Sequence, residues 1–576
     1  MVWQLGATGL VDETPPLFAA SARAMAETGD WLIPRVNGLP RYDKPPLVYW
    51  LMGLLYALPG QEQWNPLGTW AARLPSALAT VGVMLALAHT LLLRPQAAAD
   101  RRQAAATALA AALACALSPL VLLWGRISVS DALFSALVAF TLLCSWLAYA
   151  DPRRPVWPVW LLLALAVLAK GPVALLLCGL CWLLFGLLQG DLPDLLRRLR
   201  PWPGVLLTAG VALPWYGAAL LVEGQPFVDS FFGYHNLQRF TAVVNDHLQP
   251  WWFFGPVLVI ASLPATPLLV LGLGQALAGG RRAPAASLAR FAACWLLAIL
   301  IFFTLAATKL PSYWLPATPA AGLLIALAGA GRPRRCAWLL TLALTLLIAL
   351  ALALGPIWLP LIQDPERPGR GGAIIASGRM PLAALCWLLA GLLPMVLLRL
   401  PVGRSAADGG VRLLALQLPI VLFVPLALLP LWALGDGLRG QPVRQMAAAV
   451  RQQRQAGESL AMVGILKPSL HYYARQVVIY EGRSEHALVN LADRLGRERR
   501  RGLEPRSVPQ QPTLLVVIDQ ATAAAPWWQG LQATELDRAG LYRLWRLDRR
   551  RLDARAAELR AAGHGPTWLQ PRPERY

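Results

Sequence analysis

Charge is what this chain has least of. Only 14% of its 576 residues are charged and 57% are hydrophobic, with a mean hydropathy of +0.49. Soluble domains run at about 25% charged and roughly 45–50% apolar, so disorder and a string of ordinary soluble domains are excluded and a polytopic membrane protein is left. Cysteine is scarce as well. Cys115, Cys144, Cys178, Cys181, Cys294, Cys336 and Cys386 all lie in apolar stretches and none follows, which excludes a disulfide framework for an extracellular domain. The CxxC spacing of Cys178 and Cys181 has no second pair and reads as helix packing, not metal binding. The chain also lacks a P-loop, a dinucleotide fingerprint, a tandem repeat and a low-complexity linker. Proline and glycine are plentiful, 48 and 47 residues, and punctuate the apolar runs.

The net charge is +21, but its distribution argues against nucleic acid as a partner of the membrane part. Apolar runs of about 17–25 residues span a bilayer, and twelve are expected: 70–93, 104–124, 131–150, 156–169, 172–188, 203–222, 251–275, 289–307, 312–330, 336–354, 381–398 and 411–434. The fourth and fifth are short and read as broken around Lys170-Gly171-Pro172. Alternate short connections starting at Arg94 hold 17 Lys and Arg, the others seven. The positive-inside rule puts the first set in the cytoplasm. The chain is thus expected in the plasma (inner) membrane. Residues 1–69, the loops near 126, 170, 223–250, 308–312 and 355–380, and the tail from 435 then face the periplasm or exterior. Because the chain opens on that side, Val2-Trp3-Gln4-Leu5 reads as the end of a helix that precedes the given sequence, with a short translocated N-terminus as the alternative.

Three regions follow: an outer juxtamembrane segment 1–69, a membrane core 70–434 and an outer soluble domain 435–576. In the first, Thr14 is expected to cap a short amphipathic surface helix, with Pro15 in its first turn and Gly29 at its stop. A second apolar stretch, 47–58, is too short to span and belongs in the interface. The tail has 23 Lys+Arg against 14 Asp+Glu. It reads as a small α/β domain with helices over 445–455 and 468–475, strands over 459–464, 477–480 and 513–518, and a basic end. Arg497, Arg499, Arg500 and Arg501 read as a solvated loop, with acidic lipid or polymer as the alternative contact.

Carboxylates at a membrane interface must pair, hydrate or do chemistry, since a buried unpaired charge is costly. Asp131 stands at the outer end of a span, and Asp12 and Glu13 precede the first surface helix. The plainer readings are a helix cap and a solvated side chain. Lys44, Arg126, Lys170, Arg239 and Lys309 lie at the same level. Singly each reads as a snorkelling cation; together they could converge on a phosphate. His235 and His247 flank Arg239 without the spacing of a metal motif.

Asp12-Glu13-Thr14, Gly29-Asp30-Trp31 with Pro34, and Asp43-Lys44-Pro45 with Tyr49-Trp50 resemble the opening of the lipid-carrier-dependent GT-C glycosyltransferases. The resemblance is to the 4-amino-4-deoxy-L-arabinose lipid A transferase group (ArnT) and, more distantly, to protein O-mannosyltransferases. Arg126 to Asp131, Leu168 to Pro172, His235 to Phe240, His247 to Trp251 and Lys309 to Tyr313 extend it over about residues 5–330. Lys467 to Tyr473 continues it weakly into the tail. The resemblance implies a helical membrane GT-C fold of about twelve spans with a small outer α/β domain. It implies Asp12 as the catalytic carboxylate with Asp131 as a second acid. Lys44 and Arg239 would hold the carrier phosphate, with Lys170, Lys309, Tyr313 and Arg126 as further candidates. Asp43 stands at a metal-associated position, with His235 or His247 as partner; beyond a divalent metal no cofactor is expected. One departure matters: Pro15-Pro16 replaces the Arg-Tyr common in the family after Asp-Glu-Thr, so acceptor or carrier contacts made by that pair are absent here.

The expected reaction follows. No nucleotide sugar is supplied on the outer face, so the sugar arrives on a polyprenyl phosphate. A lipid, glycan or protein acceptor attacks C1 with Asp12 as general base while cations neutralise the departing phosphate. A single displacement inverts the anomeric centre. Membrane lipids, not nucleic acid, are the remaining partners. A transporter or flippase would also have about twelve spans but should carry charges mid-span and paired broken helices, where Lys170 is the residue to watch. A membrane-anchored scaffold would explain the basic tail but not the acids and lysines of the outer loops.

Overall fold

The computed structural model describes all residues except 97–99, 244–247, 332–333, 363–368, 400–407, 498–510 and 569–576. Among the described residues, eight helices are long and apolar enough to cross a membrane: Thr69–Leu93, Asp131–Ala150, Pro201–Glu223, Leu288–Leu305, Pro311–Ala330, Arg335–Ala353, Arg379–Arg399 and Gly409–Arg439. A ninth arises if the pair Phe254–Ala261 and Thr266–Leu277, bent by 110°, counts as one span. The expected twelve are therefore not all met by single long helices. The run 104–124 breaks at Ser118-Pro119 into Arg101–Ala116 and Pro119–Trp124. The runs around Lys170 form Trp157–Lys170 and Val173–Gln189, shorter than a full span. Proline explains both breaks, since it removes a backbone donor and clashes with the preceding turn. Cys178 and Cys181 are buried and unbridged within Val173–Gln189.

The segment before the first span folds on the soluble domain. Helix α1 (Thr14–Thr28) buries Phe18, Ala19, Ala22 and Met25, and Phe18 stacks on Tyr49 of helix α2 (Leu47–Tyr56) at 5.2 Å. Thr14 does not cap α1: it is the first helical residue, and no side chain caps that end. Nor does α1 lie bare on a surface, because Arg23 reaches across it to the carbonyl of Tyr472 (2.8 Å). Between α1 and α2 a two-residue ribbon pairs β1 (Arg35–Val36) with β2 (Leu39–Pro40). Asn37, at its tip, exchanges two hydrogen bonds with the backbone of Val478, 2.8 and 2.7 Å, and its N–H donates to Nε2 of His471 (3.0 Å).

The soluble domain is a five-stranded mixed sheet of β3 (Ser459–Val463), β4 (Val478–Glu481), β5 (Thr513–Asp519), β6 (Thr534–Ala539) and β7 (Tyr542–Asp548), in the order β4-β3-β5-β7-β6. β3 pairs in parallel with β4 and β5; β7 is antiparallel to β5 and β6. Alternation along β5 sorts its side chains between two layers. Leu515 and Val517 pack with Val443, Met446 and Val450 of helix Gln441–Gln453. Leu514, Val516 and Ile518 pack with Leu488 and Leu491 of helix Glu485–Arg497 and Leu552 of helix Arg549–Ala561. The end expected to be merely basic thus contains a packed helix. Arg497 pairs with Asp493 at 3.2 Å, while Arg499, Arg500 and Arg501 lie outside the described residues.

Candidate active site

Where α1 and α2 meet the bundle, the turn Arg41-Tyr42-Asp43-Lys44 builds one wall of the site. Pro45 and Pro46 fix the backbone as it enters α2. The Asp43 carboxylate is buried, accepting from Arg41 Nη2 at 2.5 Å and from the Tyr49 hydroxyl at 3.1 Å. Lys44 Nζ donates to the carbonyl of Asp43 (2.7 Å) and stands 3.9 Å from its carboxylate. Burial alone would raise the Asp43 carboxyl, but the charges of Arg41, Lys44 and Arg239 outweigh it and hold it well below the ordinary carboxylate range. Burial pulls the Lys44 ammonium down to about 8; Asp43 opposes this, while the positive charges of Arg239 and Lys170 add to it. Burial likewise lowers His235 to about 3, so its ring is neutral.

The second wall comes from the bundle. Asp131 opens helix Asp131–Ala150, and Lys170 closes helix Trp157–Lys170, with Nζ 2.7 Å from Asp131 Oδ1. Gly171 makes this possible. Its φ of 103° and ψ of −170° lie in a region open essentially to glycine alone, and they turn the chain away just after Lys170. The Lys170 ammonium is 5.4 Å from the ring centres of both Phe134 and Tyr313, and the Ser312 side chain bonds Asp131. The third wall is the irregular helix Val228–Gln238, which carries His235 and leads into Arg239.

Six sequence-predicted residues therefore gather from four chain segments: Asp43, Lys44, Asp131, Lys170, His235 and Arg239, with Tyr313 at their edge. Two further cations are engaged by backbone carbonyls. Lys309 donates to the carbonyl of Ala306 (2.7 Å) at the end of a membrane helix. Arg126 donates to the carbonyls of Met1 (2.5 Å) and Trp3 (2.9 Å), holding the opening loop. His247 lies outside the described residues.

Asp12 lies at the contact with the soluble domain. Its carboxylate accepts from both the N–H (2.9 Å) and the hydroxyl (2.8 Å) of Ser469. Burial lifts its carboxyl to about 6, against the two Ser469 hydrogen bonds and the charge of Lys467, which favour the ionised form. Sequence reasoning did not assign roles to Ser469, Lys467, Arg41, Tyr49 or Ser312. All five sit within or beside motifs that drew attention; Arg41 and Tyr49 meet Asp43 two and six positions away, whereas Ser469, Lys467 and Ser312 face partners far along the chain, a pairing no local pattern marks.

As a metal site, Asp43 is poorly disposed. Both of its oxygens already accept from protein donors, and the charges nearest it are cations.

Residues 43–216 match the family described as dolichyl-phosphate-mannose-protein mannosyltransferase. Residues 453–563 match the C-terminal domain of the cyanobacterial RgtA-type glycosyltransferase. A Pseudomonas aeruginosa (strain UCBPP-PA14) protein, undecaprenyl phosphate-alpha-4-amino-4-deoxy-L-arabinose arabinosyl transferase, is 33% identical over 424 residues, covering 66% of this chain and 71% of that one. The chain belongs to that arabinosyl transferase family. It is a polytopic membrane glycosyltransferase that takes its sugar from a lipid-phosphate carrier. A family member from Sodalis glossinidius is 32% identical over 341 residues, 57% of this chain and 55% of that one. The fold agrees with the crystal structure of ArnT from Cupriavidus metallidurans bound to undecaprenyl phosphate: TM-score 0.74 at 22% identity, over 95% of this chain and 96% of that one.

Proposed function

We propose that the chain moves a sugar from a polyprenyl phosphate to a hydroxyl-bearing acceptor in the cell envelope, with Lys44, Lys170 and Arg239 holding the carrier phosphate and Asp12 serving as general base. The observation that carries this reading is the convergence of four cations, Arg41, Lys44, Lys170 and Arg239, around the carboxylates of Asp43 and Asp131 at one end of the bundle. Asp43 and Asp131 orient Lys44 and Lys170 and offset two of these four positive charges, which leaves a place for the monoanionic carrier phosphodiester and for the second negative charge that develops as the phosphate departs. A pool of positive charge that a dianionic leaving phosphate enters during bond cleavage lowers the barrier most where charge develops.

The chemistry is a displacement at C1. The acceptor oxygen forms the new bond as the C1–phosphate bond breaks, the acceptor proton passes to Asp12, and the carrier phosphate keeps the electron pair. One displacement inverts the anomeric centre. The active site faces the periplasm, the side from which the carrier sugar and the envelope acceptor are both reached. Family members named for 4-amino-4-deoxy-L-arabinose make undecaprenyl phosphate bearing that sugar the first donor to try. Pro15-Pro16, in place of the family's Arg-Tyr, favours an acceptor other than the one that pair serves.

Binding of a non-hydrolysable polyprenyl phosphate tests the phosphate seat. Lys44→Ala and Arg239→Ala should each weaken affinity by about 1.5–3 kcal/mol, the worth of a charge-assisted hydrogen bond. Arg239→Lys should recover only part, lacking the planar fork. Unchanged affinity in both alanine variants would move the phosphate elsewhere.

A further inference from the structure

On the far side of the soluble domain from helix Gln441–Gln453, Glu485, His486 and His564 bring together one potential ligand atom each, all within 4.8 Å of one another. We infer that this group is a binding site for a divalent ion of the zinc class, which clasps the end of the domain to helix Glu485–Arg497. It is unrelated to Asp43 and His235 in position and in chain segment.

The sequence builds the site from two helix ends. Glu485 and His486 are the opening residues of helix Glu485–Arg497. His564 arrives by a Schellman turn: Gly563, at φ 98°, lets its N–H bond Arg560 O (3.0 Å), and the His564 N–H bonds Leu559 O (3.0 Å). This stops helix Arg549–Ala561 and swings His564 back over its neighbour. The chain beyond is then tied to the same helix. Thr567 N–H donates to Asn490 Oδ1 at 2.8 Å, and Trp568 Nε1–H donates to Asp493 Oδ2 at 2.7 Å. Both arms of the group are therefore held in register before any ion arrives.

The donor chemistry suits zinc. Two imidazoles and one carboxylate form a recognised ligand set, leaving a fourth position for water. Ligand atoms around tetrahedral zinc lie about 3.4 Å apart, given bonds of about 2.0–2.2 Å, so closure needs small side-chain rotations only. His564 Nδ1 is already 3.6 Å from Glu485 Oε1, and the two rings are 5.5 Å apart. His486 also has the outer contact that a metal-bound histidine uses. Its Nδ1 lies 3.0 Å from the carbonyl of Gly565; a carbonyl only accepts, so Nδ1 carries the proton and Nε2 keeps the lone pair. The carbonyl end of helix Arg549–Ala561 favours a cation there, while the N-terminus of Glu485–Arg497 opposes one, and the Glu485 charge offsets that opposition. A bound ion would close the long chain loop between residues 486 and 564, the kind of closure a clip stabilises most.

The test uses the purified full-length chain, stripped with a chelator and titrated with ZnCl2 against a chromophoric competitor. One zinc per chain is expected, unaffected by His235→Gln. His486→Gln and His564→Gln should each weaken binding at least about 30-fold, and Glu485→Gln about tenfold, on the scale of lost metal ligands and their supports. In the unmutated chain, zinc should slow amide exchange across residues 563–568 relative to the chelated protein. Absence of stoichiometric zinc, wild-type affinity in the His486→Gln/His564→Gln double variant, loss of zinc with His235→Gln, or unchanged exchange at 563–568 would each overturn the inference.

Discussion

Asp12 and Lys44 set the working pH of the site in opposite directions. Asp12 must be ionised to accept a proton, and burial lifts it to about 6. Lys44 must be protonated to hold a phosphate, and burial lowers it to about 8. The profile of kcat/KM against pH, which reports the free enzyme, should therefore rise through about 6 and fall through about 8. Ser469→Ala removes a hydrogen bond that favours the carboxylate and should move the acid limb to higher pH. Lys44→Arg should remove the alkaline limb. A profile flat from pH 5 to 9 would detach both residues from the reaction. The Asp131–Lys170 pair belongs to the same scale. Both side chains are about 15% exposed, so Lys170→Met alone strands a buried carboxylate and should cost about 3–5 kcal/mol. Asp131→Asn/Lys170→Met should recover much of that in thermal unfolding, even though carrier binding stays weak. Sequence reading picked out both of these residues singly, but could not pair them: 39 positions separate them, and only the packing of two helices closes the gap.

At the scale of elements, Lys170-Gly171-Pro172 carries the most information. Its proline marks a helix break, visible from sequence, while the glycine's backbone geometry is a property of the fold. A methyl group there would meet Phe231 Cζ at 3.3 Å and Asn236 Oδ1 at 3.4 Å. Gly171→Ala should thus cost about 1–3 kcal/mol in backbone strain and displace Lys170. Carrier affinity should fall although no side chain of the phosphate seat has changed; unaltered affinity would show that the turn does not position Lys170. Most spans were legible because apolar length is a direct consequence of the bilayer. Their internal breaks were less so, as at Ser118-Pro119 and in the bent pair near Leu263-Pro264. In the soluble domain the β-branched runs showed themselves as β3 to β5. The hairpin of β6 and β7 did not, because Glu535, Asp537, Arg538 and Arg543 interrupt its apolar pattern at an exposed sheet edge.

Across the whole molecule, a soluble domain is stitched to the segment that precedes the first span. Besides the Asn37 clamp and the Ser469–Asp12 contact, Leu10 N–H donates to the Tyr473 hydroxyl (2.9 Å), and Gly9 N–H donates to Asp436 (3.0 Å). Asp12 therefore takes its orientation from a residue more than four hundred positions away, which no local reading could supply. The charge asymmetry between loops predicts the orientation of the assembly. In a cysteine-free background, cysteines at positions 100, 200 and 334 should resist an impermeant thiol reagent in intact cells, and one at the exposed position 475 should react. The reverse pattern would turn the active site to the cytoplasm. The central claim, transfer from a carrier phosphate with Asp12 as base, meets its most direct test in one assay. Purified protein would be incubated with undecaprenyl phosphate bearing radiolabelled 4-amino-4-deoxy-L-arabinose and an envelope lipid extract. Label should pass from carrier to acceptor with the wild type and stay on the carrier with Asp12→Asn, which still binds the carrier. Transfer by Asp12→Asn at more than about a tenth of the wild-type rate, against the 10²–10⁴-fold expected of a general base, would contradict the account.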